Sequence, residues 1–253
     1  MLSYSEFGAP DAPKLVIVHG LYGSGRNWGV IAKRLCDVAR VITVDQRNHG
    51  QSAWTKTHTY SDMADDLVEL IQHLGGPVDV IGHSMGGKAA MVLAVQNPEL
   101  IRRLIVGDIA PVPYTHSQMQ FITAMRAVDL SNLSRRSDAE AQLGALGVEP
   151  ALQSFFTQSL DVAERRWRLN LDVLALEMDR ILSFPTLSGA FEGPTLFLSG
   201  AASDYVTAEH RPAIKSLFPK ARFAKLPQAG HWLHAEKPRE FEAAVRAFLA
   251  LQT

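Results

Sequence analysis

Ser84 lies between two glycines in Gly82-His83-Ser84-Met85-Gly86, just after the apolar run Val78-Asp79-Val80-Ile81 and just before helix-compatible residues. A serine hydroxyl is a poor nucleophile at neutral pH unless a base takes its proton and donors stabilise the oxyanion that its attack creates. A sharp turn from strand to helix would expose the hydroxyl and set it at a helix N-terminus, where negative charge is favoured. Small residues at Gly82 and Gly86 let strand and helix close on that turn. Such a motif also occurs as a plain glycine-rich turn, but the strand before it and the helix after it match the context that a serine nucleophile needs. The chemistry implied is acyl transfer.

Two backbone amides are needed for the oxyanion, one from the residue after the nucleophile and one from the loop after an earlier strand. Met85 supplies the first. The second is expected in Leu15-Val16-Ile17-Val18-His19-Gly20-Leu21-Tyr22-Gly23, where His-Gly at a strand end turns the chain so that the Leu21 amide faces Ser84. Each such donor is worth roughly two to three orders of magnitude in rate.

Nine histidines compete for the role of base. His231, in Ala229-Gly230-His231-Trp232, follows the last strand-like run and precedes the last helix, which agrees with the order nucleophile, acid, base along such a chain. His234 is expected to pack or cap that helix, and His19, His49 and His83 to belong to loops around the site. His58, His73, His116 and His210 read as surface or packing residues. No His/Cys pair recurs at ligand spacing beside an acidic partner, so metal binding is disfavoured.

The acid that orients the imidazole must come from a loop at the C-terminal edge of the sheet. Two positions qualify: Asp204 in Gly200-Ala201-Ala202-Ser203-Asp204, and Asp108 at the end of Leu104-Ile105-Val106-Gly107-Asp108. The acid usually stands three residues after the glycine, a position held here by Ser203, with Asp204 one residue off. Asp108 is preferred; its bland alternative is a carboxylate that caps the entry into Ile109-Ala110-Pro111.

Elements to position these groups are legible. Leu15 to His19, Val41 to Asp45, Val78 to Ile81, Leu104 to Asp108, Thr195 to Ser199 and Arg222 to Leu226 read as strands. Several are continuous apolar runs, as a parallel sheet covered on both faces requires. Ser61 to Leu74, with Ser61 as N-cap, Met85 to Asn97 and Pro238 to Leu251 read as helices between or after them. From Ile109 to about Gly193, Met119 to Val128, Ala139 to Leu146, Leu152 to Leu160 and Trp167 to Met178 follow one another as helices without a strand. The expected architecture is α/β, a doubly wound and mostly parallel sheet formed by residues 1–108 and 194–253, with residues 109–193 inserted as a helical cap. Trp167 and Arg168, on the cap, are candidates to line an acyl pocket, although an aromatic beside an arginine is more often ordinary packing.

With 253 residues, 47% of them hydrophobic, the chain is long enough to bury one large core. A formal charge of -1 and no run of Lys/Arg argue against a nucleic-acid partner. No segment reaches the roughly 18 unbroken apolar residues of a membrane span, and a cytoplasmic protein acting on a small molecule is expected. Cys36 cannot form an intrachain disulfide and reads as a packed thiol.

These residues resemble the α/β-hydrolase superfamily, and within it the YbfF-type bacterial esterases and their mitochondrial abhydrolase-domain counterparts. The resemblance rests on His19 to Ser24, on Asp45-Gln46-Arg47-Asn48-His49-Gly50-Gln51-Ser52, on Gly82 to Lys88, on Asp108 to Pro111, on Trp167 to Asn170 and on Gly230 to Pro238. Asn48, where most of the superfamily has glycine, and Lys88 make the branch specific. The resemblance implies an α/β-hydrolase fold with a cap and an acid taken from the earlier strand, in favour of Asp108. It also implies hydrolysis of short- to medium-chain acyl esters through an acyl-enzyme intermediate, without metal or diffusible cofactor. Thioester or lactone hydrolysis and perhydrolysis are alternatives on the same fold, and a non-catalytic ligand-binding protein is a further one.

Overall fold

The computed structural model describes residues 1–251; Gln252 and Thr253, the last two residues of the expected core, lie outside the described residues. Nine strands form among the described residues: β1 (Ser3–Phe7), β2 (Lys14–Val18), β3 (Arg40–Asp45), β4 (Val78–His83), β5 (Ile101–Gly107), β6 (Leu160–Asp161), β7 (Arg166–Trp167), β8 (Thr195–Gly200) and β9 (Ala221–Leu226). The α-helices are α1 (Gly29–Leu35), α2 (Tyr60–Leu74), α3 (Met85–Gln96), α4 (Met119–Ala127), α5 (Arg136–Ala145), α6 (Pro150–Thr157), α7 (Leu171–Leu176), α8 (Met178–Leu182), α9 (Arg211–Leu217), α10 (Leu233–Glu236) and α11 (Pro238–Leu249).

Seven strands join into one sheet in the order β1-β3-β2-β4-β5-β8-β9, antiparallel only where β1 meets β3. The six runs read from the sequence are its parallel strands. β1 (SYSEF) was not anticipated, and the reason is physical: it is a half-exposed edge strand without the continuous apolar run that burial on both faces imposes.

Alternate strand residues feed two apolar layers. Val16, Val18, Val80, Leu104 and Val106 pack with α2 and α3, whereas Leu15, Ile17, Ile81, Ile105 and Leu198 pack with α1 and α11 on the opposite face. Every residue of α3 from Met85 to Val95 is buried, so this helix carries no polar stripe. α2 begins two residues earlier than expected, capped by Thr59 rather than Ser61. The Thr59 side chain accepts from the Asp62 amide and the Asp62 carboxylate accepts from the Thr59 amide, a reciprocal pair that Ser61, with Ala64 three residues on, cannot make.

Between β5 and β8 the chain adds no strand to the large sheet. It holds α4 to α8 and the short hairpin of β6 and β7. The helix expected from Trp167 instead begins at Leu171, where Asn170 caps it, and breaks at Glu177. Residues 168–170 are drawn into extended pairing with the loop after β3: Gly50 N–H donates to Arg168 O at 2.8 Å and Asn170 N–H to Asn48 O at 2.9 Å. α6 likewise ends at Thr157 and leaves Leu160 to the hairpin. Asn48 shows why glycine is replaced there. Its φ of 64° is one that asparagine tolerates, and its side chain links Thr55, Thr57 and Asn170 across the two segments.

Candidate active site

Strand order reverses at β2: the chain passes from β2 to β3 on one side and then crosses back past β2 to β4 on the other. Loops leaving β2 and β4 therefore diverge and leave a crevice at the C-terminal edge of the sheet, where open α/β sheets bind their ligands. Ser84 stands there, between β4 and α3, with φ 52° and ψ -123°, a left-handed conformation that a non-glycine residue adopts only under surrounding constraint. The constraint is visible. A side chain at Gly82 would come within 2.5 Å of the Gly86 carbonyl oxygen, and one at Gly86 would collide with the carbonyls of Val18 and His19. The Ser84 amide donates to Gly107 O at 2.9 Å.

His231 Nε2 lies 3.0 Å from Ser84 Oγ, and His231 Nδ1 lies 2.8 Å from Asp108 Oδ2. Asp108 follows β5 with φ 48° and is fully buried. Three donors converge on its carboxylate: the Gly200 amide at 3.1 Å, the Ser203 hydroxyl at 2.5 Å and the His231 ring. A buried carboxylate so surrounded leaves no oxygen without a partner. Asp204 is exposed and makes no hydrogen bond to His231 among the described residues. Ser203, three residues after Gly200 where the acid usually stands, donates to Asp108 instead.

The loop that carries His231 is held at three points. The carboxylate of Glu236 accepts from the Gly230 amide (2.7 Å) and the Trp232 amide (3.2 Å), His83 Nε2 lies 2.8 Å from the His231 carbonyl, and the Ala202 amide donates to Ala229 O. Burial drives the His83 ring down to about 3, helped by the proximity of His231, so His83 is neutral and its Nε2–H donates to that carbonyl. Tyr205 stacks on the His231 ring, with centroids 4.0 Å apart and planes 22° from parallel.

Two further neutral histidines shape the loop after β2. The Gln46 amide donates to His19 Nε2 (3.0 Å), which leaves the proton on Nδ1 to bond Gly20 O at 2.8 Å. The Tyr22 amide donates to His49 Nε2 (3.2 Å), and His49 Nδ1–H bonds Arg47 O at 2.9 Å. Complete burial pulls these rings down to about 4 and about 3. The Tyr22 and Gly23 amides are thus consumed within the fold, the second by Gly20 O. Leu21 and Met85 line the same cavity as Ser84.

That cavity measures about 320 Å³. Its walls come from the strand-end loops and from residues 109–182, with Ile109, Tyr114, Phe121, Leu152, Phe155 and Phe156 on the latter side. Trp167 is not among its lining residues. Its ring is buried in the core and Nε1–H donates to Met125 O at 2.9 Å, because the hairpin of β6 and β7 directs it away from the site. Of the remaining histidines, His58 is buried against Met85, His234 stacks on Trp28 at the cavity wall, and His116 also lines the cavity and lies 2.6 Å from Tyr205 Oη. Cys36 is half-buried at the end of α1. Among the described residues, no three His, Cys, Asp or Glu side chains gather so as to hold a metal ion, and no helix is long and apolar enough to cross a membrane.

The model of the alpha/beta hydrolase family matches residues 15–244, a span that leaves out β1 but holds the sheet from Leu15 onward together with Ser84, Asp108 and His231. The chain belongs to the α/β-hydrolase family. The sn-1-specific diacylglycerol lipase ABHD11 of Mus musculus is 42% identical to it, over 98% of this chain and 85% of that protein. Esterase YbfF of Escherichia coli (strain K12) is 36% identical, over 93% of this chain and 92% of that protein. A solved structure described as a marine microorganism esterase superposes with a TM-score of 0.93 at 38% identity, covering 98% of both chains.

Tyr205 and Ser203 as a donor are features of the site that residue pattern did not reveal. His83 lies beside the site as expected of its loop, and its contact with the His231 carbonyl is what the structure adds.

Proposed function

We propose that this hydrolase is a serine carboxylesterase that cleaves short- to medium-chain acyl esters by way of an acyl-enzyme. The observation that carries the reading is the unbroken line from Ser84 Oγ to His231 Nε2 at 3.0 Å and from His231 Nδ1 to Asp108 at 2.8 Å. Asp108 accepts the Nδ1 proton and so keeps Nε2 free to take the Ser84 proton. Ser84 Oγ attacks the ester carbonyl carbon, the proton passes to Nε2, and the Leu21 and Met85 amides hold the oxyanion. Collapse of this intermediate breaks the bond to the alkoxy oxygen, which leaves as the alcohol with the proton from Nε2. Water, deprotonated by His231, then attacks the acyl-Ser84 carbonyl, and the acid departs as Ser84 regains its proton.

Residues 109–193 act as a cap over a core of residues 1–108 and 194–253, and supply the apolar wall that receives the acyl chain. The names of the relatives support an ester as the substrate: a lipase and two esterases. Stopped-flow hydrolysis of 4-nitrophenyl butanoate tests the mechanism. A burst of nitrophenolate equal to the enzyme concentration, or accumulation of acyl-enzyme on rapid quenching, together with labelling of Ser84 by a fluorophosphonate, is the expected result. Full activity in Ser84→Ala, or a folded protein that resists the probe, overturns it.

A further inference from the structure

Lys88 is a charged residue that this chemistry does not use. It lies one turn after Ser84 on α3, is 1% exposed and lines the same cavity. Its Nζ donates to the carbonyls of Leu182, the last residue of α8, at 2.9 Å and of Ser183, the next one, at 2.6 Å. It also sits over the Tyr114 ring, 4.8 Å from the centroid, and within 5.7 Å of the Tyr60 ring centroid. Among the described residues it has no carboxylate within ion-pair distance.

An ammonium group carries three donors, and two are spent on carbonyls. A buried cation without an anion is costly, and the cavity contains no protein group to neutralise it. Tyr60 Oη–H is committed to Ile181 O at 2.6 Å, and burial holds both tyrosines neutral by raising them far above their ordinary range. Desolvation draws Lys88 itself down to about 7, and a carboxylate placed beside the ammonium would favour its charged form.

We propose that Lys88 is the anion-binding subsite of the acyl cavity and that the preferred substrates are monoesters of short dicarboxylic acids, whose free carboxylate takes the third N–H of Lys88 while the ester carbonyl lies at Ser84. This rests on the esterase reading above. A tether between α3 and the end of α8 would need only the two donors already engaged. The separation of Ser84 and Lys88 by one helical turn, ~5.4 Å along the axis, favours chains of a few carbons.

The test compares monoethyl succinate, glutarate and adipate with the corresponding ethyl methyl diesters at pH 6.5, by ethanol release. At one chain length or more, kcat/KM for the monoester is expected to exceed that for the neutral diester at least tenfold. Lys88→Met is expected to abolish that preference. Lys88→Gln keeps donors for the Leu182 and Ser183 carbonyls without the charge, and guards against a Met variant that does not fold; it is expected to lose the preference as well. Wild-type protein that reacts with the fluorophosphonate and hydrolyses the diesters at least as well as the monoesters at every length overturns this inference and leaves the esterase reading intact. So does a folded Lys88 variant that keeps the preference. Wild-type protein that neither labels nor hydrolyses any of the six esters overturns both.

Discussion

Replacing Asp108 by asparagine changes one buried atom and reverses the direction of a hydrogen bond. In the wild type, Oδ2 accepts from both Ser203 Oγ–H and His231 Nδ1–H, and Oδ1 accepts from the Gly200 amide. Asparagine can keep its oxygen on the Gly200 amide only by presenting its NH2 group to Ser203 and His231. His231 Nδ1 must then become an acceptor, the ring proton moves to Nε2, and Nε2 can no longer take the proton of Ser84 across their 3.0 Å contact. A wrong tautomer of this kind costs about 10⁴ in kcat, or about 5 kcal/mol of transition-state stabilisation. Asp204 is exposed and makes no such contact, so Asp204→Asn is expected to change kcat less than threefold. Both variants, assayed with 4-nitrophenyl butanoate beside a thermal unfolding scan, separate the two acids weighed from the sequence. Retention of more than a tenth of wild-type kcat by Asp108→Asn, or a thousandfold loss in Asp204→Asn, would refute the reasoning.

Tyr205 stacks on the imidazole that, in the proposed mechanism, becomes cationic in the transition state, so removal of its ring should fall on kcat rather than KM. Tyr205→Leu is expected to lose about 3- to 30-fold in kcat while Tyr205→Phe stays within about twofold of wild type, as read in steady-state kinetics. His19 and His49 stay neutral in the folded chain down to about 4 and about 3, against an ordinary 6.5. Below pH 6.5 the unfolded chain therefore binds protons that the folded chain refuses, and stability falls as pH drops toward 4, by up to about 1.4 kcal/mol per pH unit for each ring. Urea unfolding at pH 7.0, 5.5 and 4.5 measures the slope, and replacing His49 with glutamine should flatten it. Gly86→Ala drives a methyl group into the carbonyls of Val18 and His19, and is expected to lower Tm by several degrees and abolish labelling of Ser84.

How far each feature could be read from the sequence depended on how local its cause is. The central strands β2, β4 and β8 announce themselves because burial on both faces favours a nearly continuous apolar run. β1 gave no such sign, since an edge strand carries only half that demand. Trp167 failed for the opposite reason: the helical pattern was present, but pairing of residues 168–170 with the loop after β3 overrode it and turned the ring into the core. Thr59 displaced Ser61 as the cap of α2 because a cap is chosen by its reciprocal partner, Asp62, as well as by its own type.

By itself the sequence determined that a strained serine turn, a strand-end His-Gly loop and a late histidine share one chain, because each of these is a short motif whose geometry its own residues impose. Only the tertiary structure decided which carboxylate meets His231, that Ser203 serves as a donor to it, that Tyr205 covers the imidazole, and that Lys88 faces the cavity. Those contacts join residues that lie from 26 to 123 positions apart or depend on the packing of residues 109–182 over the sheet. Distance along the chain carries no signal until the sheet brings its strand ends together.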